Sequence, residues 1–375
     1  MSLSGSLSGS LSGSYSYSQL RKLIYGPNSL TQLPKVLSLI DGKRCMIICG
    51  KSINKTDIPT RVKDMLGDGV MEHFSSMREH SPIQDINKVL SIVREKEIDT
   101  LIAIGGGSSI DAAKSIVHFY KSDREDKRGL ESVAIPTTLS ASEYTMYAGY
   151  TSEEGHKTGL ASEYMPPKAI ILDAELTMHT PEQLWLSSGI RALDHAVETL
   201  YRPNASYHLR RMALIAIKDL FTLLPLSKEG GEDIHIRQKL QLVSYMSLFP
   251  DSMAVEDLRP FGPSHTLGRK IGSSYGVPHG ITSCMTLSSV VRLYQTHCKD
   301  GEVQSRLKEA AEITSRKGDL DAQIDQLVGE LGLRRTLHDY NIPLEDTDAI
   351  ATSSLKGLGE VGFSESDVAG ALRRL

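Results

Sequence analysis

The chain has 375 residues, 40% of them hydrophobic and 23% charged, with a net charge of −4, which is the profile of an ordinary soluble protein long enough for about two domains. It carries no basic block, and no apolar stretch approaches the roughly 18 residues of a membrane span. Nucleic acid and membrane are therefore excluded as expected partners in favour of a small molecule. The N-terminus lacks a basic-then-apolar signal pattern, and Cys45, Cys49, Cys284 and Cys298 lack the paired spacing of a zinc knuckle, so reduced thiols and a cytoplasmic setting are expected.

Residues 3–14 repeat Leu-Ser-Gly-Ser three times, a composition too polar to bury anything, so residues 1–14 read as a flexible leader. From there to residue 178 strands and helices alternate. Strands are expected at 44–49, 70–74, 100–104, 132–136 and 168–172, with helices at 83–96 and 109–120. Apolar runs alternating with amphipathic helices imply a largely parallel sheet covered on both faces. From 179 to 375 helical periodicity takes over, at 182–201, 208–224, 236–249 and 302–331, which predicts an all-helical second domain. An α/β domain followed by an all-α domain places the site in the cleft between them.

The first chemical signal is Gly105-Gly106-Gly107-Ser108-Ser109-Ile110-Asp111, directly after the apolar run Thr100–Ile104. A strand, a glycine turn and a helix N-terminus let backbone N–H groups and the positive helix end meet a phosphate, so a nucleotide diphosphate is the expected ligand. A structural turn that binds nothing is the competing reading of three glycines alone. Thr137, Thr138 and Ser142 follow the strand at 132–136, and their hydroxyls suit a ribose or phosphate. Lys157 stands in the glycine-flanked turn Gly155-His156-Lys157-Thr158-Gly159, where it is expected to meet a cofactor hydroxyl or phosphate, though an exposed lysine is equally natural there. At the end of the first strand Gly50-Lys51-Ser52 lacks the acidic residue that repels a 2′-phosphate, which favours NADP, with NAD as the alternative.

In the helical half, His195 shares a helix face with Arg191 and Glu198, whereas Asp194 points about 100° away from it. His265 and His279 would stand about 21 Å apart in one straight helix. Gly276 and Pro278 break that helix and let His279 fold back.

Gly-Gly-Gly-Ser-x-x-Asp, Pro-Thr-Thr-x-x-x-Ser-Glu-x-Thr, His-Ala-x-Glu and Pro-His-Gly, in this order over residues 20–295, resemble the iron-containing alcohol dehydrogenase superfamily. That superfamily includes maleylacetate reductases and is related to glycerol dehydrogenase and dehydroquinate synthase. The resemblance implies a dinucleotide-binding domain, a helical domain, and hydride transfer between a nicotinamide and a carbonyl, an activated alkene or an alcohol. It also implies a divalent metal, iron or zinc, held by His195, His265 and His279 and by a carboxylate four residues before His195. Here that position is Arg191, which replaces a ligand with a fixed positive charge.

A second departure is Arg269, where many relatives carry a histidine. Maleylacetate reductases also lack the carboxylate, so that branch is the nearer resemblance. Arg191, His195, His265, Arg269 and His279 are expected to bind and polarise an anionic substrate, with His279, His265, Tyr144, Tyr275 or water as proton donor. The expected assembly is a homodimer. A non-redox lyase or cyclase on the same fold, or a degenerate nucleotide-binding protein, are the alternatives.

Overall fold

The computed structural model describes residues 19–124, 129–202, 205–231, 233–249, 262–356, 358 and 361–375, so the leader expected at 1–14 lies outside the described residues. The first half begins with strand β1 (Lys22–Tyr25), helix α1 (Leu33–Ile40), strand β2 (Cys45–Cys49), the short helices α2 (Lys51–Asn54) and α3 (Ile58–Leu66), strand β3 (Val70–Phe74) and helix α4 (Ile83–Glu95). Strand β4 (Thr100–Gly105), helix α5 (Gly107–Ser122), strands β5 (Glu131–Pro136), β6 (Tyr147–Thr151), β7 (Lys157–Ala161) and β8 (Ala169–Leu172) and the turn-length helix α6 (Ala174–Thr177) complete it.

Six of the described strands pair in parallel in the order β1-β8-β5-β4-β2-β3. Strands β2, β4 and β8 are buried along their whole length, because helices cover both faces, and each buried Ile, Leu or Val side chain contributes about 1.5–3 kcal/mol. The register sets Cys49 opposite Ile104, which brings Gly50 level with the glycine turn after β4.

The remaining helices are α7 (Glu182–Tyr201), α8 (Tyr207–Glu229), α9 (Ile234–Ser247), α10 (Pro263–Tyr275), α11 (His279–His297), α12 (Gly301–Ile313), α13 (Leu320–Glu330), α14 (Thr347–Leu355) and α15 (Glu365–Leu372). They share one apolar core, with Ile190, Leu193 and Val197 of α7 at its centre. Helix α11 presses its first turn onto α7 so closely that a Cβ on Gly280 would stand 2.8 Å from the Ser187 carbonyl oxygen. No residue but glycine fits there, and the close approach sets His279 beside the Arg191 face of α7.

Four expectations are corrected. Strand β1 and the antiparallel hairpin β6–β7 were not anticipated, and Lys157 opens strand β7 instead of standing in a turn. The helix expected at 302–331 is two, divided at Ser315 and Gly318, both with positive φ. Helix α5 starts at Gly107, two residues earlier than expected, with Gly106 as its N-cap. Helix α8 runs to Glu229, through Pro225, instead of ending at Leu224. Among the described residues, no helix is long and apolar enough to cross a membrane.

Candidate active site

Gly105 ends β4 at φ +135°, a conformation that side chains rarely adopt, and turns the chain into α5. The N-cap Gly106 contributes no side-chain cap and its carbonyl accepts from the N–H groups of Ser109 and Ile110, so those of Gly107 and Ser108, at the start of a sixteen-residue helix, are left to an incoming acceptor. The hydroxyl loop after β5 runs alongside. A Cβ on Gly106 would lie 3.1 Å from Thr138 Cγ2, and one on Gly107 3.4 Å from Ser140 Oγ and 3.9 Å from Ser142 Cβ. Thr137 joins through its backbone, its N–H donating to Gly105 O and its carbonyl accepting from Thr180. Backbone donors, a helix dipole and flanking hydroxyls are the donor set a dinucleotide diphosphate needs. Lys51 and Ser52 are exposed at the carboxyl end of β2 on the same sheet edge.

Asp111, one turn into α5, accepts from Ser142 Oγ and from the N–H of Gly149 on β6. Lys114, one turn further on, is buried, and its ammonium donates to Ser142 O at 2.7 Å, Thr145 Oγ1 at 3.0 Å and Tyr147 O. Burial lowers its pKa from 10.5 to about 8, with Asp111 and Glu143 partly opposing. Lys114 thereby clamps the hairpin to the cradle helix, a role the motif did not suggest. The loop before α4 was also missed. His80 and Ser81 are consecutive non-glycine residues with positive φ. His80 N–H donates to Ser108 Oγ, Ser81 Oγ donates to Ser108 O, and Thr151 Oγ1 donates to His80 O. Local strain of this kind, held by several tertiary bonds, collects at functional sites.

The His80 ring lies edge-on to His279, with centroids 5.8 Å apart. Lys157 Nζ donates to His279 Nε2, and a Cβ on Gly159 would lie 3.6 Å from Arg269 Nη1. Hairpin β6–β7, the His80 loop and helices α10 and α11 thus converge, and the helix break at Gly276–Pro278 starts α11 at His279.

Beneath them the carboxylate of Glu198 accepts from the N–H groups of Gly262, Ser264 and His265, which caps α10 with a negative charge, and lies 2.7 Å from His265 Nδ1. Asp194 accepts from Ser264 Oγ at 3.0 Å and Ser283 Oγ at 2.6 Å, with His265 Nδ1 at 3.4 Å. Arg191 Nη1 donates to Ser283 Oγ at 3.1 Å and stands 3.8 Å from Asp194. His195 stacks on His265 at 4.6 Å. Of the tyrosines considered as proton donors, Tyr144 is buried against Tyr245 and Tyr275 donates to Asp346.

Positive charges mark this convergence. Burial, with Arg191 and Arg269, lowers the Lys157 ammonium to about 8. Burial, Lys157 and Arg191 hold His279 well below the ordinary imidazole value, and burial, His265 and Arg191 do the same to His195. His265 goes the other way: burial and Arg191 oppose its charge, but Asp194 and Glu198 outweigh them.

The residues do not fit the divalent ion of the superfamily. Among the described residues the one group of metal-ligand type is Asp194, Glu198 and His265, not His195, His265 and His279. Glu198 is committed to the N–H groups above and Oδ2 of Asp194 to the two serines, while Oδ1 of Asp194 faces His265 Nδ1 at 3.4 Å. At an effective dielectric of about 20, a divalent ion about 4 Å from a single cation such as Arg191 would be opposed by roughly 8 kcal/mol.

Comparison with known proteins gives the same assignment as the geometry. Residues 21–174 match the family model "Iron-containing alcohol dehydrogenase" and residues 185–365 match "Fe-containing alcohol dehydrogenase family, C-terminal". Together they define an oxidoreductase built from an α/β nucleotide-binding half and a helical half. The chain belongs to the iron-containing alcohol dehydrogenase superfamily and is a reductase or dehydrogenase that works with NAD(P). It is 27% identical to dehydrogenase ALT3 of Alternaria alternata, covering 84% of this chain and 92% of that one. It is 29% identical to maleylacetate reductase of Pseudomonas sp. strain P51, covering 71% of each. The solved structure of maleylacetate reductase from Rhizobium sp. strain MTP-10005 superposes with a TM-score of 0.84 at 21% identity, covering 97% of this chain and 98% of that one.

Proposed function

We propose that the protein is an NADPH-preferring reductase whose acceptor is a small carbonyl compound, or an activated alkene, that carries an anionic group. The observation that carries this reading is the set of cations Lys157, Arg191 and Arg269 gathered around His279, next to a loop whose other side touches Ser108 of the cradle. The nicotinamide, when bound in its reduced form, supplies a hydride. Gly105, Gly106, Gly107 and Ser108 hold the diphosphate, with Thr138 and Ser142 beside it, and Asp111 keeps Ser142 in place. Lys51 and Ser52, in a segment Gly50-Lys51-Ser52 that itself carries no carboxylate, meet a 2′-phosphate.

On the acceptor, Arg191 presents N–H donors to the oxygen that gains charge, and Lys157 and Arg269 attract its anionic group. His195 and His265 pack beneath Arg191, and His279 holds the Lys157 ammonium in the cleft. The unpaired cysteines suit the reducing cytoplasm expected from the sequence.

The test is NADPH oxidation with pairs of carbonyl substrates matched in size, one member carrying a carboxylate or sulfonate and the other neutral. The expected preference in kcat/KM for the anionic member is about 10–100-fold, the worth of one hydrogen bond to a charged group. Equal turnover of both members would remove the anionic-substrate reading.

A further inference from the structure

We infer that the reaction centre of this chain takes no divalent ion, and that the Arg191 guanidinium and the Lys157 ammonium act there as fixed cations in its stead. Three observations carry the inference. First, Arg191 occupies the helix position where the superfamily supplies an anionic ligand, and it is held there by Ser283 at 3.1 Å and Asp194 at 3.8 Å. Second, the Nε2 atom that His279 would turn to an ion accepts a hydrogen bond from Lys157 instead, so a cation already stands on that lone pair. Third, the buried carboxylates that might have offset an ion's charge are already set against other groups. Glu198 caps three N–H groups of α10, and Asp194 binds two serines and faces Arg191 and His265.

A guanidinium can do the ion's electrostatic work. Its N–H donors lie in a fixed plane, stay charged throughout the accessible pH range, and need no reorganisation as charge builds on the acceptor oxygen. What it cannot do is exchange, oxidise or be removed by a chelator. The role of the two cations in turnover rests on the reductase reading; the exclusion of metal does not.

The test is elemental analysis of the full chain after expression in iron-, zinc- or nickel-supplemented medium, and again after equilibrium dialysis against Co²⁺. NADPH binding is read by fluorescence on the same samples. The expected result is substoichiometric metal, no visible cobalt absorbance, and intact NADPH binding before and after chelator. Arg191→Asp combined with Lys157→Met, which frees His279 Nε2, is expected to take up close to one ion per chain. A wild-type protein that holds a stoichiometric ion, lost in His279→Ala, would overturn the inference. So would an Arg191→Asp/Lys157→Met variant that melts like the wild type, binds NADPH and stays empty. If that variant fails to fold, the wild-type metal content and cobalt spectrum decide alone. Failure of the reductase reading would show separately, as NADPH that does not bind or is not oxidised, with metal content unaffected.

Discussion

Glu198 and His265 lie 2.7 Å apart, both buried, and the same carboxylate caps the helix on which the histidine sits. The pair is therefore a structural joint between α7 and α10. Removing one partner of a buried ionic pair leaves the other uncompensated, at a cost of about 3–5 kcal/mol. Glu198→Ala is expected to lose stability of that order, and Glu198→Gln, which can still accept from the helix N–H groups, clearly less. Urea midpoints of the three proteins check the order.

Arg191→Lys keeps the charge but loses the planar fork that reaches Ser283. A fall in kcat/KM of about 10–100-fold is expected, the worth of a charged hydrogen bond made in the transition state, while the NADPH dissociation constant stays unchanged. Steady-state kinetics alongside fluorescence titration distinguish this from a general loss of fold; a matching loss of NADPH affinity would count against it.

At Gly105 the backbone stands at φ +135°, and a Cβ there would also meet Ser109 Oγ at 3.2 Å. Gly105→Ala is expected to cost about 1–3 kcal/mol of backbone strain and to weaken NADPH binding by at least about tenfold. Gly107→Ala, whose nearest contact is Ser140 Oγ at 3.4 Å, should lose less. Calorimetric titration of both variants ranks them.

Lys51→Ala is expected to weaken NADPH binding about tenfold and leave NADH almost unchanged, because only the former carries the 2′-phosphate. The difference should shrink with added salt, since Lys51 is exposed. Parallel titrations with the two cofactors at low and high ionic strength test both points.

The pH dependence of stability should carry the signature of Lys114. Its folded pKa, about 8, lies below the ordinary 10.5, so between those values the unfolded chain binds more protons than the folded one. The cost of burying the charge is present in full below pH 8, and stability rises as pH climbs from 8 to 10.5, by roughly 3 kcal/mol from this group. Lys114→Met should remove its part of that rise and leave the part due to Lys157, whose ammonium is also lowered to about 8. Urea midpoints over this pH range provide the measurement.

Local signals account for what was legible from the sequence. The strand–glycine–helix passage at 100–114 and the helix break at Gly276–Pro278 depend on neighbours within a few residues, and both are present, the first with its helix opening two residues early. Strand β1 was not legible, because four residues of mixed exposure become a strand only through register with β8, 147 residues away. The same holds for His80, whose left-handed backbone is enforced by Ser108 and Thr151, and for Lys157, placed by a hairpin that carries no two-residue turn signal. Asp194 was read by helical phase against His195 alone. Its position follows from serines on α10 and α11, which no spacing along α7 discloses.

Helix α5 opens at the glycine cradle, meets β6 through Asp111 one turn later, and grips the same hairpin through Lys114 a turn beyond. The hairpin in turn carries Lys157. One rod therefore sets the spacing between the glycine turn and the Lys157 ammonium, as a ruler does, so that spacing need not await any closing of the two lobes.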